Sequence, residues 1–384
     1  MTVSLDPNGG LFRAITTPAL VLDAVALDAN IARMADAART AGVSLRPHGK
    51  THKSPDVARR QRTAGAVGLC CATLLEAEEM TAAGIDGILV TSPIVGADKA
   101  SRLAALHRRA GVMTVVDHPE QVDGILAATS PGDAPLTLVV DVDIGQRRTG
   151  VVDAESGIAL ARLIAAEPRL MFGGLQAYAG HVQHIPDAQK RRSAATASEH
   201  LIRAIAGQLR AEGLAPRIVS GSGTGTSAFD LEKGPYNELQ VGSYVFMDAD
   251  YSRILQPDGS RLPFDNALFV LATVVSANRQ GQVTVDAGTK ALAMNGPLPD
   301  RLIGAPTGSR YTFWGDEHGT IHLPAGAAIL PIGARILIGV THCDPTVNLH
   351  PAYNVVTEQG MLMNWPIVGR YSVEVTQGGR PVGM

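Results

Sequence analysis

The sequence predicts an α/β fold, a (β/α)8 barrel with an additional C-terminal, mainly antiparallel β domain. Two observations carry this. From residue 18 to about residue 250, short apolar runs alternate with helical stretches, the pattern of consecutive βα units on a parallel sheet. After about residue 260 the runs become β-like and are broken by Gly, Pro, Asn and Asp, with little room for helices.

The barrel strands are expected at Pro18–Asp23, Ser44–Gly49, Val67–Ala72, Gly87–Ser92, Val112–Asp117, Leu136–Val142, Phe172–Tyr178 and Arg217–Gly221. Between them, Asp28–Gly42, Pro55–Gly65, Leu74–Gly84, Lys99–Gly111 and Asp187–Gly213 are rich in Ala, Leu, Arg and Glu. Each ends on Gly, which takes the left-handed conformation that closes a helix most readily. The later β runs are Ala267–Val275, Gln282–Asp286, Thr320–Leu323, Arg335–Val340 and Asn354–Thr357. The domain limits that follow are 18–260 for the barrel, and 1–17 with 261–384 for the β domain. No linker separates them, so the two are expected to pack as one body.

A chain of 384 residues, 45% hydrophobic and 18% charged, buries a large core and has the composition of a globular enzyme. The net charge of −3 and the absence of a basic block give no footprint for nucleic acid or an anionic membrane, so the expected partner is a small molecule. Cys70, Cys71 and Cys343 make no disulfide framework and fit a reducing compartment. The N-terminus lacks a basic segment followed by an apolar one, and no apolar run approaches the ~18 residues needed to span a bilayer. The expected location is the cytoplasm.

Three segments carry chemistry. The first is Arg46-Pro47-His48-Gly49-Lys50-Thr51-His52-Lys53, at the C-terminal end of an early strand, where barrel active sites gather. A nucleophilic lysine suits this place if burial and Arg46 lower its pKa; a solvated basic loop is the plainer alternative, and Lys53 competes with Lys50. The second is the loop Ser220 to Thr226, with Ser222, Gly223, Thr224 and Gly225 placed to offer backbone N–H groups to an anion. The third is Thr341 to His350. If residues 342–344 are extended, His342 and Asp344 share a face and Cys343 points away, giving one nitrogen and one oxygen donor for a hydrated Mn²⁺ or Mg²⁺, with Zn²⁺ as the alternative. Arg148, Tyr178, His181 and His184 follow predicted strands; Arg148 could meet an anion and Tyr178 a pyridine nitrogen.

With these segments in order, the chain resembles the D-threonine aldolase and D-serine dehydratase family, whose N-terminal barrel is similar to that of alanine racemase. The resemblance runs nearly end to end, through Thr17–Asp23, Arg46–Lys53, Gly174–Tyr178, Gly221–Thr226, Glu238–Tyr244, Asp316–Gly319 and Thr341–His350. It implies a fold type III enzyme dependent on pyridoxal 5′-phosphate (PLP), with Lys50 carrying the cofactor as a Schiff base, the Gly221–Thr226 loop holding its phosphate and Tyr178 near its ring. It also implies a divalent metal at His342 and Asp344, where the dehydratases show His-x-Cys and the aldolases His-x-Asp. The expected reaction is cleavage of D-threonine and related D-3-hydroxy-α-amino acids to glycine and an aldehyde. His52, His181 or a metal-bound hydroxide are the candidate bases, and a homodimer is expected. A D-serine or D-3-hydroxyaspartate dehydratase, an amino-acid racemase and a non-catalytic PLP-binding protein are the alternatives.

Overall fold

The structure, a computed structural model, describes residues 5–371. Ala19–Asp23 forms strand β1, followed by the helix Ala24–Ala41. Asp23 caps this helix by accepting from Val25 N and Ala26 N, and Gly42 closes it at φ 67°. Leu27, Ile31, Met34 and Ala38 recur at helical spacing and are all buried, so one face of the helix is fixed against the core.

Eight strands form the barrel: β2 (Ser44–Leu45), β3 (Leu69–Cys71), β4 (Ile88–Val90), β5 (Met113–Val116), β6 (Leu136–Asp141), β7 (Leu170–Ala177), β8 (Ile218–Gly221) and β9 (Glu238–Leu239). They pair in parallel in the order β2-β9-β8-β7-β6-β5-β4-β3. The ends meet through a parallel bridge between His48 and Cys70, with Cys70 N donating to Pro47 O at 2.8 Å. Strands β3 and β4 are wholly buried, as strands covered on both faces must be.

The number of barrel strands agrees with the sequence, but their membership does not. Strand β1 belongs to the second sheet. It runs antiparallel to β10 (Leu268–Arg279) and parallel to β16 (Ala352–Val356). A five-residue apolar run reads the same in a barrel as in the centre of a mixed sheet, and here it is central. The true eighth strand, β9, is two residues long and begins with a glutamate, so no apolar run marks it.

The second sheet also contains β11 (Gln282–Val285), β12 (Leu302–Ile303), β13 (Arg310–Phe313), β14 (Gly319–His322), β15 (Arg335–Gly339) and β17 (Leu362–Pro366). Apart from the β1–β16 pair, its pairings are antiparallel. The predicted helix 187–213 is two helices, Ala188–Ser198 and His200–Ala211; at the break Glu199 N divides its bond between Ala195 O and Thr196 O, both at 3.2 Å. Among the described residues, no helix is long and apolar enough to cross a membrane.

A buried ion pair joins the first and last barrel strands. Arg46, just past β2, is bidentate to Glu238 in β9, with Nε–Oε1 at 3.0 Å and Nη2–Oε2 at 2.8 Å. Ser220 Oγ donates to the same Oε1 at 2.8 Å, and Arg46 Nη1 donates to Gly87 O. Glycine is required at residue 68, where a Cβ would stand 1.9 Å from Gly87 O and 2.3 Å from Arg46 Nη1. Replacing Glu238 by Leu leaves the guanidinium buried and uncompensated, so it should lower stability to urea by about 3–5 kcal/mol. Adding Arg46→Met should recover part of that loss; equal stability of Glu238→Leu and the parent would contradict this role.

Candidate active site

A cavity of about 790 Å³, counting the space open at its mouth, lies at the C-terminal ends of the barrel strands, and residues from both sheets' loops line it. Its floor is a chain of amides. Gln176 Nε2 donates to Asp141 Oδ1 at 2.9 Å, and Gln240 Nε2 donates to Gln176 Oε1 and Ser220 Oγ, both at 3.0 Å. Every member is buried, and the chain runs through Ser220 into the Glu238–Arg46 pair.

Lys50 sits on a single 3₁₀ turn, Gly49–Thr51, directly after the first barrel strand. His48 starts this turn: its Nδ1 accepts from Lys50 N at 3.4 Å, and its Nε2 lies 3.0 Å from Thr91 Oγ1. Because Thr91 Oγ1 donates onward to Cys71 O, the His48 Nε2 is the donor and the ring is neutral. Burial, reinforced by Lys50, pushes the His48 pKa well down.

The Lys50 amine reaches into the cavity, with Nζ 3.3 Å from Asp344 Oδ2 and 5.9 Å from the centre of the Tyr178 ring. Arg148 lies over the same ring, its Cζ at 5.8 Å. The expectation that Arg46 depresses the lysine fails, because Arg46 is turned into the barrel seam. Asp344 instead raises the Lys50 pKa against the effect of burial. Burial opposes ionisation of Asp344, but Lys50, His342 and the Thr51 hydroxyl outweigh it and hold that carboxyl at about 2. Lys53, the competitor, faces elsewhere, its Nζ on Glu76 Oε1 at 2.5 Å and Gly369 O at 2.9 Å.

The glycine-rich loop contributes half of what the sequence suggested. Gly223 and Thr224 line the cavity; Ser222 is buried beside it in a left-handed conformation, φ 70°. Gly225 is not available to an anion, because its N–H donates to Gln183 Oε1 at 3.0 Å. Gly242 and Ser243, which sequence reasoning missed, complete the wall after β9. The backbone N–H groups of Gly223, Thr224, Gly242 and Ser243 have no hydrogen-bond partner among the described residues. A Cβ at Gly242 would lie 2.5 Å from Thr51 Oγ1, so this close approach is open only to glycine.

Two of the three base candidates are displaced. His52 is fully buried outside the cavity; its Nδ1 accepts from Ser54 N at 3.0 Å, and burial lowers its pKa to about 4. His181 is exposed on the 3₁₀ turn Gly180–Val182 and meets Ser198 Oγ at 3.3 Å. The neighbour three residues on, His184, lines the cavity. Its Nδ1 is 2.8 Å from Asp250 Oδ2, close but not aligned for a hydrogen bond, and its ring packs against Tyr251 at 4.8 Å. Burial lowers its pKa, only partly offset by Asp250 and Asp248.

The segment 342–344 is not extended as expected: His342 precedes a short helix, Cys343–Leu349. Asp248 caps that helix from across the chain, Oδ2 accepting from Cys343 N at 3.0 Å while Oδ1 accepts from Tyr251 N at 2.9 Å and Asp250 N at 3.1 Å. His342 and Asp344 still share the cavity wall, and Cys343 does not enter it. Burial raises the Cys343 thiol well above its ordinary value, which removes it as a ready thiolate ligand. His342 Nδ1 is 2.9 Å from Asn295 Nδ2. Among the described residues, no group of three or more His, Cys, Asp or Glu side chains is arranged to hold a metal.

Two family descriptions match: "Alanine racemase, N-terminal domain" over residues 22–250 and "Putative serine dehydratase domain" over residues 267–356. The chain is 38% identical to a 3-hydroxy-D-aspartate aldolase of Paracoccus denitrificans, over 93% of this chain and 92% of that protein. It is likewise 38% identical to a D-threonine aldolase of an Arthrobacter species, over 93% of each. The chain belongs to the D-threonine aldolase and D-serine dehydratase family. The crystal structure of a D-threonine aldolase from Filomicrobium marinum is 39% identical and superposes with a TM-score of 0.86, covering 93% of this chain and 96% of that one. The family's alanine racemase-like barrel is that of a pyridoxal phosphate enzyme.

The buried histidines set an acid limit. The folded state keeps His52 neutral down to about pH 4, whereas the unfolded chain protonates it near 6.5. Its contribution is therefore complete above pH 6.5 and is lost as pH falls from 6.5 towards 4, and His48, also lowered, acts in the same sense. Stability should fall by up to ~1.4 kcal/mol per pH unit for each histidine. Urea unfolding at pH 7 and pH 5 tests this: the His52→Gln variant should show the shallower dependence, and an identical slope would refute the assignment.

Proposed function

We propose that this protein is a carbon–carbon lyase that cleaves D-threonine and related D-3-hydroxy-α-amino acids to glycine and an aldehyde, with PLP and a divalent cation. One observation carries the reading: a lysine amine, a cradle of unpartnered amides and a histidine–carboxylate pair open into the same cavity. PLP fits these residues. The N–H groups of Gly223, Thr224, Gly242 and Ser243 would hold its phosphate, Lys50 would hold its aldehyde carbon covalently and Tyr178 would face its ring. When bound, the cofactor accepts the electron pair released as the Cα–Cβ bond breaks.

The protein's own groups move the protons. Asp344, 3.3 Å from Lys50 Nζ, is the proton's partner at that amine. His184 is the base for the β-hydroxyl, since burial keeps its ring neutral and the adjacent Asp250 favours the charge it gains. His342 and Asp344 would be the protein donors to the cation, with water supplying the remaining ligands. It requires the Asn295 amide to be turned so that its oxygen accepts from His342 Nδ1–H, leaving the Nε2 lone pair free. A cation there would replace Lys50 as the partner of Asp344 and favour the neutral amine the chemistry needs. Mn²⁺ or Mg²⁺ suits this donor set.

Asp344 favours the aldolase over the dehydratase, and so do the names of the relatives matched over nearly the whole chain. The dehydratase is the second reading, favoured by the family description over residues 267–356. Incubation with D-threonine separates them: glycine and acetaldehyde are expected, and 2-oxobutanoate as the main product would select the dehydratase. Lys50→Ala should lose the visible absorbance of the covalently held cofactor and cleavage with it. His184→Gln should lower kcat by about 10²–10⁴-fold, and His181→Ala should leave it unchanged.

Dialysis against a chelator should abolish cleavage, and Mn²⁺ should restore it in the parent but not in His342→Ala. The loss of one orienting partner in Asn295→Ala should raise the Mn²⁺ concentration needed by about 10-fold or more. Cleavage indifferent to chelation would remove the cation from the mechanism.

A further inference from the structure

Behind the cradle lies a buried cation whose hydrogen bonds all go to carbonyl oxygens. Arg191, in the helix Ala188–Ser198, is 1% exposed. Its Nε donates to Gly225 O at 2.8 Å, Nη1 to Ile185 O at 2.6 Å and Pro186 O at 3.1 Å, and Nη2 to Leu255 O at 2.5 Å. These carbonyls belong to three different pieces of the site. Gly225 follows the cradle residues Gly223 and Thr224, Ile185 and Pro186 follow His184, and Leu255 follows the turn that carries Asp250 and Tyr251.

Gln183 makes a second tie between two of the same pieces. Its Oε1 accepts from Gly225 N at 3.0 Å and Thr226 N at 3.2 Å, while its Nε2 donates to Ala179 O at 3.2 Å and Thr226 Oγ1 at 3.1 Å. The fit is tight, since a Cβ on Gly223 would lie 2.5 Å from Gln183 Oε1 and one on Gly225 2.1 Å from Gln183 O. A loop packed this closely cannot shift without moving the chain next to His184.

We propose that Arg191 and Gln183 are positioning residues that couple the amide cradle to His184, so that an anion held at Gly223 and Thr224 sets the place of the base. The proposal rests on the reading of the cradle as a phosphate site. Arg191 makes charge-assisted bonds to all three pieces and leaves positive charge behind the loop, which favours an anion on its other face. Neither side chain touches the reacting atoms, and both act through the loops they hold.

The test uses the full chain freed of cofactor, with inorganic phosphate as the probe and the imidazole resonances of His184, assigned through His184→Gln, as the readout. In the parent, phosphate should shift them; in Arg191→Met and in Gln183→Glu, which keeps the two acceptor bonds but loses the donations to Ala179 O and Thr226 Oγ1, the shift should largely vanish. Arg191→Met should also weaken PLP binding by about 10-fold or more, in line with the loss of charge-assisted hydrogen bonds, with little change in binding of pyridoxal, which lacks the phosphate. Arg191→Lys should recover part of both effects, and it replaces Arg191→Met as the test if that variant does not fold.

Equal His184 shifts in the parent and the variants, or an unchanged ratio of PLP to pyridoxal affinity, would overturn the coupling. Failure of phosphate to bind the parent would instead overturn the cradle reading itself.

Discussion

The site depends first on the buried pair between Arg46 and Glu238. A parallel barrel has no edge only if its first and last strands meet. Strands β2 and β9 pair over two residues each, and backbone bonds from Ser44 N to Asn237 O, Arg46 N to Leu239 O and His48 N to Val241 O, all at 3.0 Å, carry the contact further. The bidentate pair adds a side-chain tie across the same two strands, in a place from which water is excluded. A buried guanidinium is tolerable there because its donors reach Glu238 and Gly87 O and the carboxylate also receives Ser220. From Ser220 the same chain passes through Gln240 and Gln176 to Asp141, so the seam of the barrel and the floor of the cavity are one polar network. Network members that satisfy one another have few alternative arrangements, which gives a cofactor site its fixed floor.

A second constraint brings the domains together. Lys50 comes from the barrel and Asp344 from the second domain, and each sets the other's ionisation. Without a competing cation, the pair stores the lysine in its charged, unreactive form. A cation held at His342 and Asp344, as proposed, would reverse that preference, so that one carboxylate would link metal loading to the readiness of the lysine. Asp248 makes the link possible by tying the start of the 343–349 helix to the Asp250–Tyr251 turn through three backbone bonds.

Much of this was legible in the sequence, and the failures have identifiable causes. Apolar runs marked the strands β3 to β8, and glycine stops marked the helices before β3, β4, β5 and β8, because burial and helix closure leave local signatures. The helices Pro119–Ala128 and Ala154–Ala166 close on Thr129 and Glu167 and carried no such mark. β1 was assigned to the wrong sheet, since partner choice is a long-range property that no five-residue run encodes. β9 left no signal, its glutamate being buried only because Arg46 waits for it. Lys50, Arg148, Tyr178, Gly223, Thr224, His342 and Asp344 do converge, each lying just past a strand or beside one. His52 and His181 do not, because within a turn of irregular backbone the direction of a side chain cannot be counted by a period of two.

The glycine-rich loop shows the same limit from the opposite side. Sequence identified it by its capacity to expose N–H groups, but exposure depends on what competes for them. Gln183, forty-two residues upstream of Gly225, takes two of those groups, and the places are filled by Gly242 and Ser243 from the following strand end. The cradle is therefore a property of two loops and a glutamine. The spacing of glycines records only that the backbone must come close. At Gly223 and Gly225 it comes close to Gln183, whose tie to the chain around His184 joins the loop to the proposed base.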